Sequence, residues 1–262
     1  MKLFLRLRYL GTAYNGYQVQ GDQPTVQGEL TAACTALFGT RCDVTGCSRT
    51  DSGVHAEMFC VTVAAHGTDS LDTSIPLHRI PVALNAHLPM DIAVYDAKFV
   101  DSAFHPRYDV SYKEYVYRIY NSPCRSPFEQ DRAWFYPKAI SDRDMERMQR
   151  AASYYCGTHD FTSFMAQGSK VVHTERTVKY ARVTRSGNVI EFCVAADGFL
   201  YNMVRIMAGT LVAVAEHKIE PEQIPDIIAA KDRSLAGMTA PAHGLYLNFV
   251  EYHDRSEGKH EE

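Results

Sequence analysis

From Lys2 to Tyr9 apolar and charged positions alternate, with Leu3, Leu5, Leu7 and Tyr9 on one side and Lys2, Arg6 and Arg8 on the other. This period of two predicts a half-buried strand. Gly11, Gly16, Gly21 and Pro24 then mark a turn-rich stretch. Beyond it Val26, Leu30, Ala33 and Leu37 recur at helical spacing, with Thr25 placed to cap and Gly39 to terminate, so a helix over about 25–38 is expected. The small-residue loop GCSRTDSGVH (46–55) leads into a strand through Phe59, Val61 and Val63. A helical stretch near Leu77 to Ala86 is interrupted by Pro81, and 91–100 reads as another strand.

The second half continues in the same way without sequence repetition. Residues 111–120 read as a strand. Residues 142–155 read as a helix capped by Ser141 and ended by Gly157, with Met145, Met148, Ala152 and Tyr155 on one face. Strands over 176–184 and 189–196 are joined through Ser186-Gly187-Asn188 as a hairpin. A long helix over 199–216 buries Leu200, Met203, Val204, Met207, Leu211 and Val214. Pro221 starts a shorter helix, and 245–252 forms a last strand. Hairpins and helices in this irregular order predict an α+β fold with antiparallel, helix-covered sheets. His105-Pro106 breaks the pattern within 101–108. The boundary is drawn there, giving an N-terminal subdomain 1–105, a C-terminal subdomain 106–252 and a charged tail 253–262.

Composition narrows the class. The chain has 262 residues, 46% hydrophobic and 22% charged, with a net charge of −4, which is ordinary for a globular protein and argues against nucleic-acid binding through bulk positive charge. Five of the acids fall in 250–262, so the remaining chain is nearly neutral and a local basic groove stays open. No apolar run approaches the roughly 18 residues of a membrane span, and the alternating start is unlike a signal peptide, so a cytoplasmic protein with no membrane partner is expected. Seven scattered cysteines without a C-x-x-C pair read as reduced thiols.

The densest polar constellation is Cys47-Ser48-Arg49-Thr50-Asp51-Ser52-Gly53-Val54-His55. In an extended segment Arg49 and Asp51 face one way, and Ser52-Gly53 supplies a turn. A carboxylate beside a guanidinium stays ionised and can act as nucleophile or base, and the arginine can instead hold a phosphate. On composition alone, a surface ion pair in an Asx-turn is the commoner meaning of such a string. His55, His105 and His159 form no H-x-H or H-x-x-x-H pair and read as hydrogen-bonded structural residues, with His55 orienting its own loop. No metal site, Walker loop or G-x-S-x-G elbow is indicated.

The string S-R-T-D-S-G-V-H closely resembles the nucleophile motif of the tRNA pseudouridine synthase A (TruA) family, written G-R-T-D-x-G-V-H. Further segments resemble that family in order: Tyr14-Asn15-Gly16-Tyr17-Gln18, Thr25-Val26-Gln27-Gly28-Glu29-Leu30, Asn85 to Ile92, and Phe104-His105-Pro106-Arg107-Tyr108. Lys113-Glu114-Tyr115-Val116-Tyr117, Gly157 to Phe164, Phe199 to Arg205, and Gly244-Leu245-Tyr246-Leu247 follow. The resemblance runs from residue 9 to residue 252. Departures are Tyr17 where the family has Trp, Val19 at an often basic position, and Ser48 and Ser52 in the nucleophile loop.

The resemblance implies an enzyme that isomerises uridine to pseudouridine at positions 38, 39 and 40 of the tRNA anticodon stem-loop. It implies two α/β subdomains with an active-site cleft between them, a homodimer, and no cofactor or metal. Asp51 would be the nucleophile and Arg49 part of the substrate site. Tyr115 would stack on the flipped uracil, and Leu245 would wall the pocket. Arg205, which lies about 140° around its helix from Leu200 and so faces off the apolar stripe, would approach Asp51 or a substrate phosphate. Without the resemblance, Tyr115 and Leu245 read as core residues and Arg205 as a solvated helix arginine. Arg107 and Arg147 are candidate RNA contacts. Arg147 shares a helix face with Arg143 and Arg150, offset by Asp142, Asp144 and Glu146, and Lys2, Arg6, Arg8 and Lys170 are further candidates. Two other classes stay open: a non-catalytic RNA-binding protein, and a nucleoside hydrolase using Asp51 and His55 that would release free uracil.

Overall fold

A computed structural model of the chain describes residues 1–168 and 171–253; Lys170 and the expected charged tail from 254 on lie outside the described residues. The chain divides into two compact units, Met1–Tyr112 together with the chain from Leu247 on, and Lys113–Tyr246.

In the first unit β1 (Lys2–Tyr9) is followed by α1 (Val26–Phe38), β2 (Cys42–Gly46), β3 (His55–Ala65), α2 (Ile80–Asn85) and β4 (Ile92–Val100). β1 runs antiparallel to both β3 and β4, with Leu3 opposite Val63 and Leu5 opposite Val61, and β2 adds antiparallel to β3. Leu3, Leu5 and Leu7 are fully buried as the alternation requires. Phe4, on the charged side, is buried too. It packs edge-on against Phe104 and Tyr252, with Lys98 Nζ 5.2 Å from its ring. The strand is therefore covered on both faces at that point. α1 begins and ends as its local chemistry dictates: the Thr25 hydroxyl accepts from Gly28 N–H, and Gly39 takes the left-handed conformation at φ +66. Pro81 does not interrupt α2. It sits in the helix's first turn, where a missing N–H costs nothing, directly after a 3-10 turn at Leu77–Arg79.

The second unit carries β5 (Val110–Asn121, its first three residues in the first unit), β6 (Trp134–Tyr136), α3 (Asp142–Ser153), β7 (Gly157–Asp160), β8 (Glu175–Ser186), β9 (Val189–Ala196), α4 (Met203–Ala215) and α5 (Ile224–Ala230). The strand order is β5-β9-β8-β7, all antiparallel, with β6 parallel to β5. The β8–β9 hairpin turns at Gly187, φ +57. α3 ends at Ser153 with Tyr154 as its last, right-handed cap, so Gly157 opens β7 rather than stopping the helix. α4 starts at Met203, later than the apolar spacing predicts, because Asn202 is left-handed at φ +59. From there it is buried nearly all round, as a central helix is. Pro221 opens a 3-10 turn that runs into α5. β10 (Leu245–Tyr252) returns the chain to the first unit beside β3.

The unit boundary falls at 112/113 rather than near 105. The Tyr112 ring packs with Phe249 in the first unit, whereas Lys113 to Tyr120 pair with β9 in the second. No helix among the described residues is long and apolar enough to cross a membrane, and the seven cysteines are free thiols.

Glu216, at the end of α4, accepts from Lys138 Nζ (2.6 Å), Lys218 Nζ (2.6 Å) and Tyr136 OH (2.7 Å). The bonds to Lys138, Lys218 and Tyr136 pull its carboxyl from 4.5 down to about 2. A depressed carboxylate contributes its stability above the unfolded value and loses it as pH falls through the folded value. Urea melts of wild type and Glu216→Gln are therefore expected to differ at pH 6–7 and to converge between pH 4.5 and about 2. A constant difference across that window would show that the carboxylate charge is not what stabilises this corner.

Candidate active site

Backbone bonds and buried neighbours hold the loop around Asp51 in place. Thr50 is buried, its hydroxyl 2.8 Å from Tyr9 OH, and its carbonyl accepts from Tyr17 N–H at 3.1 Å. On the other side of Asp51, Val54 N–H donates to the Asp51 carbonyl at 3.1 Å, closing a four-residue turn with Gly53 at φ +78. Fully buried His55 accepts from Gly11 N–H at Nδ1 (2.9 Å), which is the loop-orienting role its sequence position predicts. Ser52 Oγ donates to the Tyr14 carbonyl at 3.2 Å, and Tyr14 OH donates to Asp91 Oδ1 at 2.5 Å. Burial, then the Asp91 carboxylate, push the Tyr14 phenol upward, so it stays a donor.

Two glycines make this packing possible. A Cβ on Gly11 would lie 2.0 Å from the Val54 carbonyl oxygen, and one on Gly16, at φ +80, would lie 2.5 Å from that of Thr50. The segment 11–17 is thus a backbone cradle for the nucleophile loop. Periodicity is silent about it because the contacts join residues some forty positions apart. Asp51 is half-buried, Thr50 buried and Arg49 exposed, which preserves the alternation. No ion pair joins Arg49 to Asp51 among the described residues: the guanidinium lies in solvent, and the expected local charge pair does not form.

In the second unit Tyr115 is 7% exposed, its ring edge-on to Phe199 at 5.0 Å, and it shares a strand face with buried Tyr117 and Ile119. Arg205 is anchored rather than solvated. Its Nε donates to the Ala240 carbonyl and its Nη1 to Asn202 Oδ1, both at 2.8 Å, while Ala240 N–H returns a bond to the Arg205 carbonyl. The strap 237–241 lies along α4: Gly237 N–H reaches Thr210 Oγ1, and a Cβ on Gly209 would meet the Met238 carbonyl at 1.9 Å. The strap then gives its Pro241 carbonyl to Tyr117 OH at 2.7 Å, and Gly244 passes so close to the Tyr117 ring that a Cβ would fall 2.7 Å from Cζ. Buried Leu245 follows at once, so its place is set by the same strap that holds Arg205.

The other candidates have these surroundings. Tyr17, in the family's Trp position, is 3% exposed and stacks on Phe59 at 4.3 Å, so it is a core ring. Arg147, a candidate RNA contact, has its side chain 17% exposed and pairs with Glu220 at 2.9 Å; Arg150 pairs with Glu222 at 3.0 Å. Both guanidiniums tie α3 to the turn before α5, while Arg143 on the same face is exposed. Lys2 pairs with Asp69, Arg6 with Asp96, and Arg8 lies over the Tyr95 ring. Arg107 is exposed and has no ion pair among the described residues. His159 bonds the Cys156 carbonyl. Asp160 takes the Thr162 N–H and hydroxyl together with Lys231, which with Thr174 hold its carboxyl well below the usual range against the cost of burial. No cluster of three His, Cys, Asp or Glu suited to a metal occurs among the described residues.

The family model described as tRNA pseudouridine synthase matches residues 7–109 and 151–253, which take in the Asp51 loop, its glycine cradle, Arg205 and Leu245. Among curated relatives, a tRNA pseudouridine synthase A of Moorella thermoacetica is 45% identical over 95% of this chain and 99% of its own. Those of Acetivibrio thermocellus and Bacillus subtilis are 44% and 41% identical, over 95% and 96% of this chain and 98% and 99% of theirs.

Proposed function

This chain belongs to the tRNA pseudouridine synthase family, a family of isomerases, and we propose that it converts uridine to pseudouridine at positions 38, 39 and 40 of the tRNA anticodon stem-loop, with Asp51 as nucleophile. The observation that carries the reading is the Asp51 loop. A half-buried carboxylate begins a tight turn whose backbone is pinned on both sides by the Gly11–Tyr17 cradle, so the group is placed at little further entropic cost when substrate arrives.

In the proposed reaction the glycosidic N1–C1′ bond breaks and a C5–C1′ bond forms. The C5 proton leaves to solvent and N1 gains one, so the sum is an isomerisation that consumes no cofactor. Asp51 attacks C1′ or C6, or takes the C2′ proton, while the uracil turns. A uridine inside a stem must first leave its stack at a cost of a few kcal/mol. Tyr115 is proposed to receive the flipped base, backed edge-on by Phe199. Leu245 is proposed as the apolar wall and Arg205 as the cation for Asp51 or the nucleotide's phosphate, its guanidinium already oriented by Ala240 and Asn202. Arg49 and Arg107, both exposed, are proposed as contacts to the RNA. The enzyme is proposed to work in the cytoplasm as a homodimer, for which sedimentation at twice 29.5 kDa is the check.

The test is tritium release from tRNA transcripts labelled at uracil C5, followed by mapping of pseudouridine along the anticodon arm. Release that tracks pseudouridine at 38–40 is the expected result. Tight binding with no release would leave an RNA-binding protein without catalysis, and free uracil would mean hydrolysis.

A further inference from the structure

The sequence Phe104-His105-Pro106-Arg107-Tyr108 forms a turn whose most prominent side chain has no internal use. Tyr108 is 74% exposed, and its ring lies on the His105 imidazole at 4.2 Å with 31° between planes. Everything beneath it is fixed. His105 N–H donates to Asp109 Oδ2 at 2.7 Å, and Asp109 N–H to the His105 carbonyl at 3.1 Å. Arg107 N–H donates to His105 Nδ1 at 3.1 Å, and the Pro106 carbonyl accepts from Tyr252 OH at 3.0 Å. Phe104 anchors the start of the turn against Phe4 and Tyr252. Burial, then nearby Lys2, lower the His105 pKa, which keeps Nδ1 available as the acceptor on which the turn depends.

An aromatic ring held this way has already met the ordering cost that a free surface side chain meets on binding. Beside it stands Arg107, exposed and without an ion pair among the described residues, while the nearby Asp109 carboxylate is occupied by His105 N–H. A π-face next to an uncommitted guanidinium is complementary to a base and its phosphate in an unpaired stretch of nucleic acid. Exposed Phe128, by contrast, adjoins Glu129, whose charge opposes a phosphate.

We propose that the outer face of Tyr108 is a stacking platform for one unpaired base of bound tRNA, distinct from the reacting uridine, with Arg107 holding the neighbouring phosphate. This rests on the tRNA reading above and adds to it a positioning contact to a second base. Stacking of one base accounts for about 1–3 kcal/mol by alanine substitution, or about 5- to 150-fold in affinity.

The experiment measures binding of a fluorescent tRNA transcript, tritium release and thermal midpoint for wild type, Tyr108→Ala, Tyr108→Leu, Tyr108→Phe and Arg107→Ala. Tyr108→Ala and Tyr108→Leu are expected to weaken binding and raise KM by the same factor in the range above, with kcat at saturating tRNA nearly unchanged. Tyr108→Phe, which keeps the ring, should bind within about 2-fold of wild type. Arg107→Ala should lower the slope of log affinity against log salt by about 1. The leucine variant guards against an alanine variant that merely loosens the turn. Leu binding as tightly as Tyr, or Phe binding as weakly as Leu, overturns the platform. If wild type itself neither binds tRNA nor releases tritium, the functional reading fails first. An active wild type with unaffected Tyr108 variants removes the platform alone.

Discussion

Asp51→Asn is expected to release no measurable tritium from C5-labelled tRNA, a loss of at least about 10⁴-fold, while binding the same tRNA nearly as tightly as wild type. The amide keeps the size of the carboxylate and removes its charge and nucleophilicity. It leaves in place the Val54 N–H bond to the backbone carbonyl of residue 51 and the contacts made through Thr50, Ser52 and His55. The thermal midpoint should therefore stay close to that of wild type. Turnover above about 1% of wild type would exclude covalent or base catalysis by Asp51. Lost binding with an unchanged midpoint would give the carboxylate a binding role instead.

Gly16→Ala should lower kcat/KM about 100-fold although residue 16 has no reactive group. Its Cβ would start 2.5 Å from the Thr50 carbonyl oxygen, against an ordinary contact of 3.4–4 Å, and the obstacle is backbone that cannot swing away. The Thr50–Asp51 segment has to shift by about 1 Å, a displacement that costs about 10²-fold where a reacting group must be held in line. The positive φ adds about 1–2 kcal/mol of strain. Gly21→Ala separates the two effects: Gly21 is also left-handed, at φ +57, but nothing lies within 4 Å of its Cβ position. It should lose only the stability that the positive φ costs and keep its activity. Equal kcat/KM for the two alanine variants would show that the cradle does not position Asp51.

Where local chemistry decides, the sequence was readable. β1 and α1 stand where alternation, Thr25 and Gly39 put them, and β10 covers 245–252 as expected. The strands that escaped are short and defined by their partners. β6 has three residues and exists because Ile119 to Asn121 offer it a parallel ladder, and β2 and β7 likewise depend on β3 and β8. The late start of α4 comes from one left-handed residue, Asn202, which the apolar spacing through Leu200 hides. At the site, the turn at Gly53 and the role of His55 were legible because they are matters of a few neighbouring residues. The approach of Gly16 to Thr50, the burial of Tyr17 on Phe59 and the pairing of Arg147 with Glu220 are long-range, and a single chain carries no periodic sign of them.

The division of the chain also bears on synthesis. The second unit is one continuous stretch, whereas the first is built from both sides of it and receives β10, the neighbour of β3, only after that stretch has been made. A chain emerging from the ribosome at about 5–20 residues per second can pair β5, β8 and β9 while β3, which follows directly on the Asp51 loop, still lacks its β10 neighbour. Ribosome-stalled nascent chains that end just after Tyr246 should thus protect the hairpin of β8 and β9 from protease and leave accessible the part of β3 that β10 later covers. Catalytic competence would then wait until β10 has been made.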